Sequence, residues 1–286
     1  MNHSKNILIF GAHSDIGVYL IPLLNKLGFS TYCFTRQPLS HKENSHIIWL
    51  RNSDFGRPSS LEGVEIPTVI SLMPIWELSK HRNILESIQA AKLIAFSSTS
   101  ITSKARSSSA RERHVSELLQ QGESWIQNEF INDSRSALIL RPTMIYGGKY
   151  NLNINRIIRI VKLLRFFLLI GHGTGLRQPV HAEDLAKLCC QCLENQNSGN
   201  RTFIVAGGEI LQYRNMIERI FESVGISTRI ISVPIFLAKP ILSVLKCFPS
   251  HRDITLEMLK RIDQNLCYNH QEAINELGWS PRGFQP

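Results

Sequence analysis

Residues 6–17 read NILIFGAHSDIG, and this stretch decides the fold. The apolar run Asn6–Phe10 meets a glycine at once, and from Ile16 to Leu27 apolar residues recur at helical spacing. A buried strand therefore turns sharply into a helix whose first amides face whatever lies over the turn. Unpaired amides and aligned peptide dipoles favour an anion there. Gly11 and Gly17 bracket the turn, and Ser14 between them is small and can bond a phosphate through its hydroxyl. Two glycines alone would serve any tight turn. A strand before and a helix after make Gly11, His13, Ser14, Asp15, Ile16 and Gly17 a candidate cradle for a dinucleotide's pyrophosphate. His13 has a plainer alternative as an exposed loop residue.

Outward from this turn the same alternation continues. Thr31–Thr35, Ile47–Leu50, Thr68–Leu72, Leu93–Phe96 and Ala137–Leu140 are short runs rich in β-branched or aromatic residues and bounded by polar ones. Helical stretches at Leu78–Ala91 and Ala110–Phe130 lie among them. Strands alternating with helices predict an α/β chain with a parallel sheet covered on both faces. Thr102–Ser109 reads as the most loop-like segment. Past about residue 145 the pattern changes. Helices are expected at Asn155–Leu169, Glu183–Glu194, Tyr213–Val224 and Phe236–Phe248, strands at Arg201–Val205 and Arg229–Val233, and two short helices at the end. Residues 1–150 thus read as a nucleotide-binding core, and 151–286 as a smaller lobe interleaved with the last strands of the sheet.

The 286 residues are 43% hydrophobic and 19% charged, which suits a packed core and excludes disordered, collagenous and disulfide-scaffold classes. The six cysteines form no C-x-x-C pair, and Cys190 and Cys192 lie too close in sequence for a usual zinc site, so reduced core thiols and no metal are expected. No signal-peptide pattern leads into the first strand and no apolar run reaches bilayer length; a cytoplasmic location is expected. The net charge of +9 suits either an anionic partner or a solvated basic surface. No nucleic-acid-binding module is recognisable, and nucleic acid is not expected as a partner.

The end of the second strand is where dinucleotide folds choose their cofactor. An acidic residue there accepts from a ribose 2′-hydroxyl, whereas the sequence has Thr35-Arg36. A guanidinium would pair with a 2′-phosphate, so NADP is favoured over NAD; an incidental surface arginine is the alternative. Asp54-Phe55, past the third strand, occupies the position expected to hold the adenine, or is a plain loop.

Further landmarks follow in order: Val69–Pro74 (VISLMP), Phe96–Ser100 (FSSTS), Leu140–Gly147 (LRPTMIYG), Gln178–Ala186 (QPVHAEDLA), Ala206–Glu209 (AGGE) and Gly278–Arg282 (GWSPR). With the glycine turn they span nearly the whole chain, which resembles the extended or atypical short-chain dehydrogenase/reductase family, in its NAD-dependent epimerase/dehydratase-like branch. The resemblance implies a Rossmann-type doubly wound parallel sheet with a smaller C-terminal substrate lobe. It also implies oxidoreductase or epimerase-like chemistry on a nucleotide sugar or another small hydroxyl, carbonyl or isoprenoid-like substrate. Leu72, Met73, Pro74, Ser97, Arg141, Pro142 and Thr143 would then border the cofactor. Ser98 or Thr99 would be the catalytic hydroxyl, and Trp76, Ser100, Tyr146, Arg177 and His181 would face the substrate.

The same family pairs a tyrosine acid/base with a lysine four residues later. Aligned on the helix Ala110–Phe130, those positions fall near Ser109 and Arg113, and no tyrosine occurs between Tyr32 and Tyr146. An unactivated serine is too weak an acid or base, and arginine stays protonated, so Arg113 can hold ribose or phosphate but not shuttle protons. Two readings remain. One is an enzyme whose proton donor is Ser98 or Thr99 aided by His114 or His181. The other is a cofactor-binding descendant without turnover, acting in assembly or as a sensor. Asp184 reads as a helix N-cap rather than an acid. In Asn155–Leu169, Arg156, Arg159, Lys162 and Arg165 form a stripe beside a wide apolar face, and Phe236–Phe248 adds Lys239 and Lys246. Such helices suit peripheral membrane contact, a cover over a substrate phosphate, or plain core packing with a solvated edge. A homodimer is left open.

Overall fold

Asn6–Phe10 forms the first strand because alternate residues find partners on both sides of it. Ile7 and Ile9 join one buried cluster with Leu20, Leu24, Leu185 and Leu188, and Leu8 and Phe10 join another with Leu78 and Leu119. A strand buried on both faces has no polar side, which is why its run is continuously apolar. The computed structural model describes residues 5–35, 46–51, 61, 63–150, 152–194, 199–245 and 255–286. Arg36, Asp54 and Phe55, expected at the adenosine end of the cofactor, lie outside the described residues, as do Lys246 and Phe248.

In chain order the elements begin β1 (Asn6–Phe10), α1 (Asp15–Lys26), β2 (Ser30–Thr35), β3 (Ile47–Arg51), β4 (Thr68–Ser71), α2 (Arg82–Ser87), β5 (Lys92–Phe96), α3 (Ser100–Ser103), α4 (Ala110–Trp125), β6 (Ser136–Pro142) and β7 (Ile145–Tyr146). They continue α5 (Leu152–Leu164), β8 (Phe167–Ile170), β9 (Leu176–Arg177), β10 (Val180–His181), α6 (Ala182–Glu194), β11 (Arg201–Val205), β12 (Leu211–Gln212) and α7 (Tyr213–Ser223). Last come β13 (Ile230–Val233), α8 (Ala238–Leu245), α9 (Leu256–Lys260) and α10 (Gln271–Leu277). A seven-stranded sheet in the order β11-β6-β5-β4-β1-β2-β3 runs parallel throughout. This is the doubly wound arrangement, and strand order reverses between β1 and β4. α1 and α6 cover one face; α4 and the 3-10 helix Ile75–His81 cover the other.

The third core cluster builds the C-terminal lobe from α5, α7, β8 and the segment around Ile262. Two expected helices change here. Asn155–Leu169 is helical only to Leu164; Arg165 takes a left-handed φ of 62°, and Phe167–Ile170 becomes β8, paired parallel with β13. A short apolar run does not reveal its period, and the partner strand decides it. Phe236–Phe248 is instead a 3-10 turn at Ile235–Leu237 followed by α8. Pro240, which lacks an amide, is tolerated in the first turn of α8 and discourages an earlier start. Leu78–Ala91 likewise divides into the 3-10 helix and α2.

The C-terminal tail closes onto the sheet. Trp279 is buried and donates from Nε1 to the Ala206 carbonyl at 2.9 Å. Arg282 donates to both oxygens of Asp184, at 2.9 and 3.1 Å, and to Glu183 at 2.8 Å. Asp184 therefore anchors the tail from the first turn of α6 instead of capping it. Lys187 and Arg282 hold the Glu183 carboxyl down at about 2, against an ordinary 4.5. A depressed carboxyl contributes its stability above the unfolded value and loses it as pH falls through the folded one. Arg282→Ala should cost about 2 kcal/mol at neutral pH, because it strips Asp184 and Glu183 of the guanidinium they share. The deficit should shrink between about pH 4.5 and 2. Urea midpoints measured across that range check both statements.

Candidate functional site

The crevice lies where β1 and β4 part. Gly11 has φ of 75°, and a Cβ there would stand 2.9 Å from the Leu72 carbonyl carbon and the Met73 nitrogen. Backbone thus approaches backbone across the crevice, which only glycine permits. Ser14 caps α1, accepting from Gly17 N at 3.2 Å, so its own hydroxyl proton points elsewhere. A Cβ on Gly17 would fall 2.1 Å from the Ala12 carbonyl oxygen. Ile16 is buried under the helix. His13 stacks on Trp49 of β3 with ring centroids 4.9 Å apart, which leans the turn toward the β2–β3 side. Asp15 Oδ1 accepts from Tyr150 N at 2.9 Å, and Tyr19 Oη donates to the Gly147 carbonyl at 2.7 Å. The loop after β7 is thereby tied to the start of α1. On the opposite wall, Leu72 and Met73 are half-buried and Pro74 is exposed.

The next strand end over, that of β5, is wired to its neighbours. Ser97 Oγ donates to Glu123 Oε1 at 2.5 Å, and Arg141 Nε donates to the same oxygen at 2.8 Å. Arg141 Nη2 bonds the other carboxylate oxygen, making the pair bidentate. Glu123 is buried, so without both partners its charge would be costly. The Pro142 carbonyl accepts from Thr99 N at 3.1 Å and Thr99 Oγ1 at 3.2 Å, and Thr143 Oγ1 donates to the Gln178 carbonyl. Ser97, Thr99, Arg141 and Thr143 therefore have committed polar atoms. Ser98 is half-buried; its Oγ accepts from Ser100 N at 3.1 Å, which leaves the hydroxyl proton for a ligand.

α4 does not bring the expected groups to this strand end. Ser109 is the residue before its first turn, and Arg113 is exposed with Nη1 on the Ser107 carbonyl at 2.8 Å. The helix turns Glu112, Ser116, Leu119 and Glu123 inward, a face set by 3.6-residue periodicity. Glu112 pairs bidentately with Arg261, and Ser116 Oγ donates to the Ile101 carbonyl at 2.6 Å. Arg113 is thus corrected from a catalytic candidate to a surface residue that fastens the Thr102–Ser109 loop. His114 is exposed and faces Glu117 at 3.6 Å.

The phenol that meets the β5 end comes from elsewhere. Tyr268 Oη donates to the Thr99 carbonyl at 3.5 Å, and its amide donates to Gln178 Oε1 at 3.0 Å. Gln178 in turn donates to the Gly207 carbonyl at 3.0 Å and lies 3.0 Å from His270 Nδ1. Sequence reasoning missed Tyr268 because it stands in a polar stretch 169 residues from Thr99, with no spacing to mark it. Glu123 was missed for a related reason: a glutamate on an amphipathic helix ordinarily faces water.

Of the residues expected to face substrate, Ser100 begins α3 beside Ser98. Trp76 instead lines a hollow of about 510 Å³ between the 3-10 helix and α4, with Gly122 and Trp125 and none of Ser97–Ser100. Arg177 is buried and spends its guanidinium on the carbonyls of Leu176, Gln264 and Arg261, at 2.7 to 2.9 Å. Tyr146 is buried, its hydroxyl donating to the Gly283 carbonyl and accepting from Gln285 N. His181 packs edge-on to Tyr146 and accepts from Glu183 N at 3.1 Å; burial, then the Arg282 cation, lowers its affinity for a proton. These last three are structural in their present contacts. Cys33 and Cys192 are buried with thiols pushed up to about 12, too reluctant to ionise for nucleophilic work. Among the described residues no cluster of His, Cys, Asp and Glu could hold a metal.

No family model and no curated protein sequence matches the chain. Solved structures do. MoeE5 in complex with UDP-glucuronic acid and NAD superposes with a TM-score of 0.70 at 15% identity, over 98% of this chain and 94% of that one. UDP-glucuronic acid 4-epimerase from Bacillus cereus, in complex with NAD, gives 0.71 at 17%, over 96% and 93%. UDP-glucose 4-epimerase from Thermotoga maritima, with UDP-glucose, gives 0.70 at 14%, over 96% and 93%. Over nearly its whole length, the chain shares the fold of these three structures.

Proposed function

We propose that the chain binds a nicotinamide dinucleotide across the Gly11–Gly17 turn and acts as an oxidoreductase or epimerase-like enzyme on a nucleotide sugar or a similar small hydroxyl or carbonyl substrate. One observation carries this reading: a turn bracketed by Gly11 and Gly17 at a helix N-terminus sits at the order reversal of the sheet, near a Ser/Thr strand end. The fit to the cofactor is good in kind, since Gly11 leaves no Cβ in the crevice and Ser14 keeps a proton to donate. Residues 1–150 would hold the dinucleotide and residues 151–286 the substrate. When bound, the nicotinamide supplies reversible hydride acceptance at a carbinol carbon. Ser98 would orient the substrate hydroxyl, and Tyr268 would take and return its proton in place of the absent tyrosine on α4. The inward face of α4, with neither phenol nor ammonium, favours a second reading, in which the cofactor is bound without turnover.

Arg36 supports NADP as the cofactor, although two of the structures named above carry NAD. Fluorescence titration should give tighter binding of NADPH than of NADH. Arg36→Asp should weaken NADPH by about ten- to a hundredfold, the worth of one charge-assisted contact, and leave NADH within about threefold. Binding of neither nucleotide would sink the whole reading. Tyr268→Phe should lower turnover of a UDP-sugar panel by about a hundredfold or more while leaving the cofactor titration unchanged. Unchanged turnover would remove Tyr268 from the chemistry. Tight cofactor binding with no turnover by the native chain would establish the second reading.

A further inference from the structure

Away from the crevice, the charge of the chain is unevenly placed. Residues 134–182 hold eight lysines and arginines and no aspartate or glutamate; residues 223–252 hold four and none. Those twelve cations exceed the net charge of +9, so the remainder of the chain stands at −3. β8 and β13 pair from Phe167 with Ile230 to Ile170 with Val233, which joins the two acid-free stretches in one lobe.

Apolar exposure follows the same stretches. Twelve large hydrophobic residues are exposed among the described residues, and seven of them lie here. Leu163 and Phe236 are the extremes, at 81% and 75%, with Ile231 and Ile235 about half exposed. On α5, Ile154, Ile157 and Val161 face the core. At about 100° per residue, Arg159 and Leu163 then project from the opposite side, with Lys162 beside them, and all three are exposed.

A merely solvated basic edge gives no reason for Leu163 and Phe236 to stand in water. A substrate clamp would bury its cations, and Arg159, Lys162, Arg165 and Arg229 are exposed, whereas Arg177 is buried and Arg141 pairs with Glu123. Nucleic acid would use the cations but gain little from aliphatic groups such as Leu163, Ile231 and Ile235. No helix among the described residues is long and apolar enough to cross a membrane. We propose that this lobe is a peripheral docking face for an anionic lipid surface, with Arg159, Lys162, Arg165 and Arg229 at the headgroup phosphates and Leu163 and Phe236 at the acyl boundary. This docking is independent of the nucleotide site.

The test is co-sedimentation of the full chain with vesicles of equimolar phosphatidylglycerol and phosphatidylcholine, and with phosphatidylcholine alone. Two double variants are compared, Arg159→Glu with Lys162→Glu and Leu163→Ser with Phe236→Ser. All four positions are exposed, and circular dichroism melts check that each variant folds. The native chain should partition onto the anionic vesicles, be released at high salt, and ignore the neutral ones. Each double variant should lower partitioning by about tenfold or more. Absence of binding to anionic vesicles, equal binding to neutral ones, or indifference to both variants overturns the proposal. So does binding of duplex DNA or single-stranded RNA without vesicle binding, or a dimer in sedimentation analysis that the variants dissolve.

Discussion

A turn without room for a side chain governs the architecture. At Gly11 an added Cβ would stand 2.9 Å from the backbone of Leu72 and Met73 just past β4, and at Gly17 it would fall 2.1 Å from the Ala12 carbonyl oxygen. These two approaches bring α1 down onto the sheet and hold β1 and β4 at the distance where strand order can reverse. The packing of α6 on α1 depends on that position, and Asp184 of α6 anchors Arg282 in the tail. The crevice is therefore a consequence of backbone sterics, and its polar lining is added afterwards.

The buried carboxylate of Glu123 plays the corresponding part on the other face. A charge with so little exposure persists only when its lone pairs are satisfied, and Ser97 and the Arg141 guanidinium do this together. The arrangement fixes β5, β6 and α4 relative to one another just below the Ser/Thr strand end. It also means that α4 presents an acid–cation joint, a serine and a leucine along its inner face. Chemistry at this strand end must then recruit groups from other segments, and Tyr268 of the C-terminal region is the phenol that arrives.

Much of the fold could be read from the sequence because a doubly buried strand leaves a continuous apolar run and a helix leaves a 3.6-residue one. All seven strands of the sheet, and the glycine turn with its helix, were legible on those grounds. Phe167–Ile170 was not, since its strand character depends on β13, 60 or more residues away in sequence. The Gly11–Gly17 turn was readable from its local motif. The contacts around the end of β5 were not. Thr99 meeting Tyr268, Ser97 meeting Glu123, and Arg177 spent on three carbonyls are long-range facts with no local pattern. Arg113 was misjudged because one helical position, about 100°, separates it from the inward Glu112.

The cations of the acid-free stretches divide by burial, and the division bears on what each set does. Arg141 and Arg177 are enclosed and bound to a carboxylate and to carbonyls, so their charges organise the interior. Arg159 and Lys162 stand in solvent on a helix whose buried face needs no charge at all, and Arg165 is exposed just past its end. Cations in solvent that serve only solubility can be scattered among carboxylates at no cost to the fold, as they are over the rest of this chain. Their concentration over stretches with no acidic residue, beside exposed leucine, isoleucine and phenylalanine, requires a partner that rewards both features at once. An interface with charge on one side and hydrocarbon beneath it, as proposed for this lobe, is such a partner.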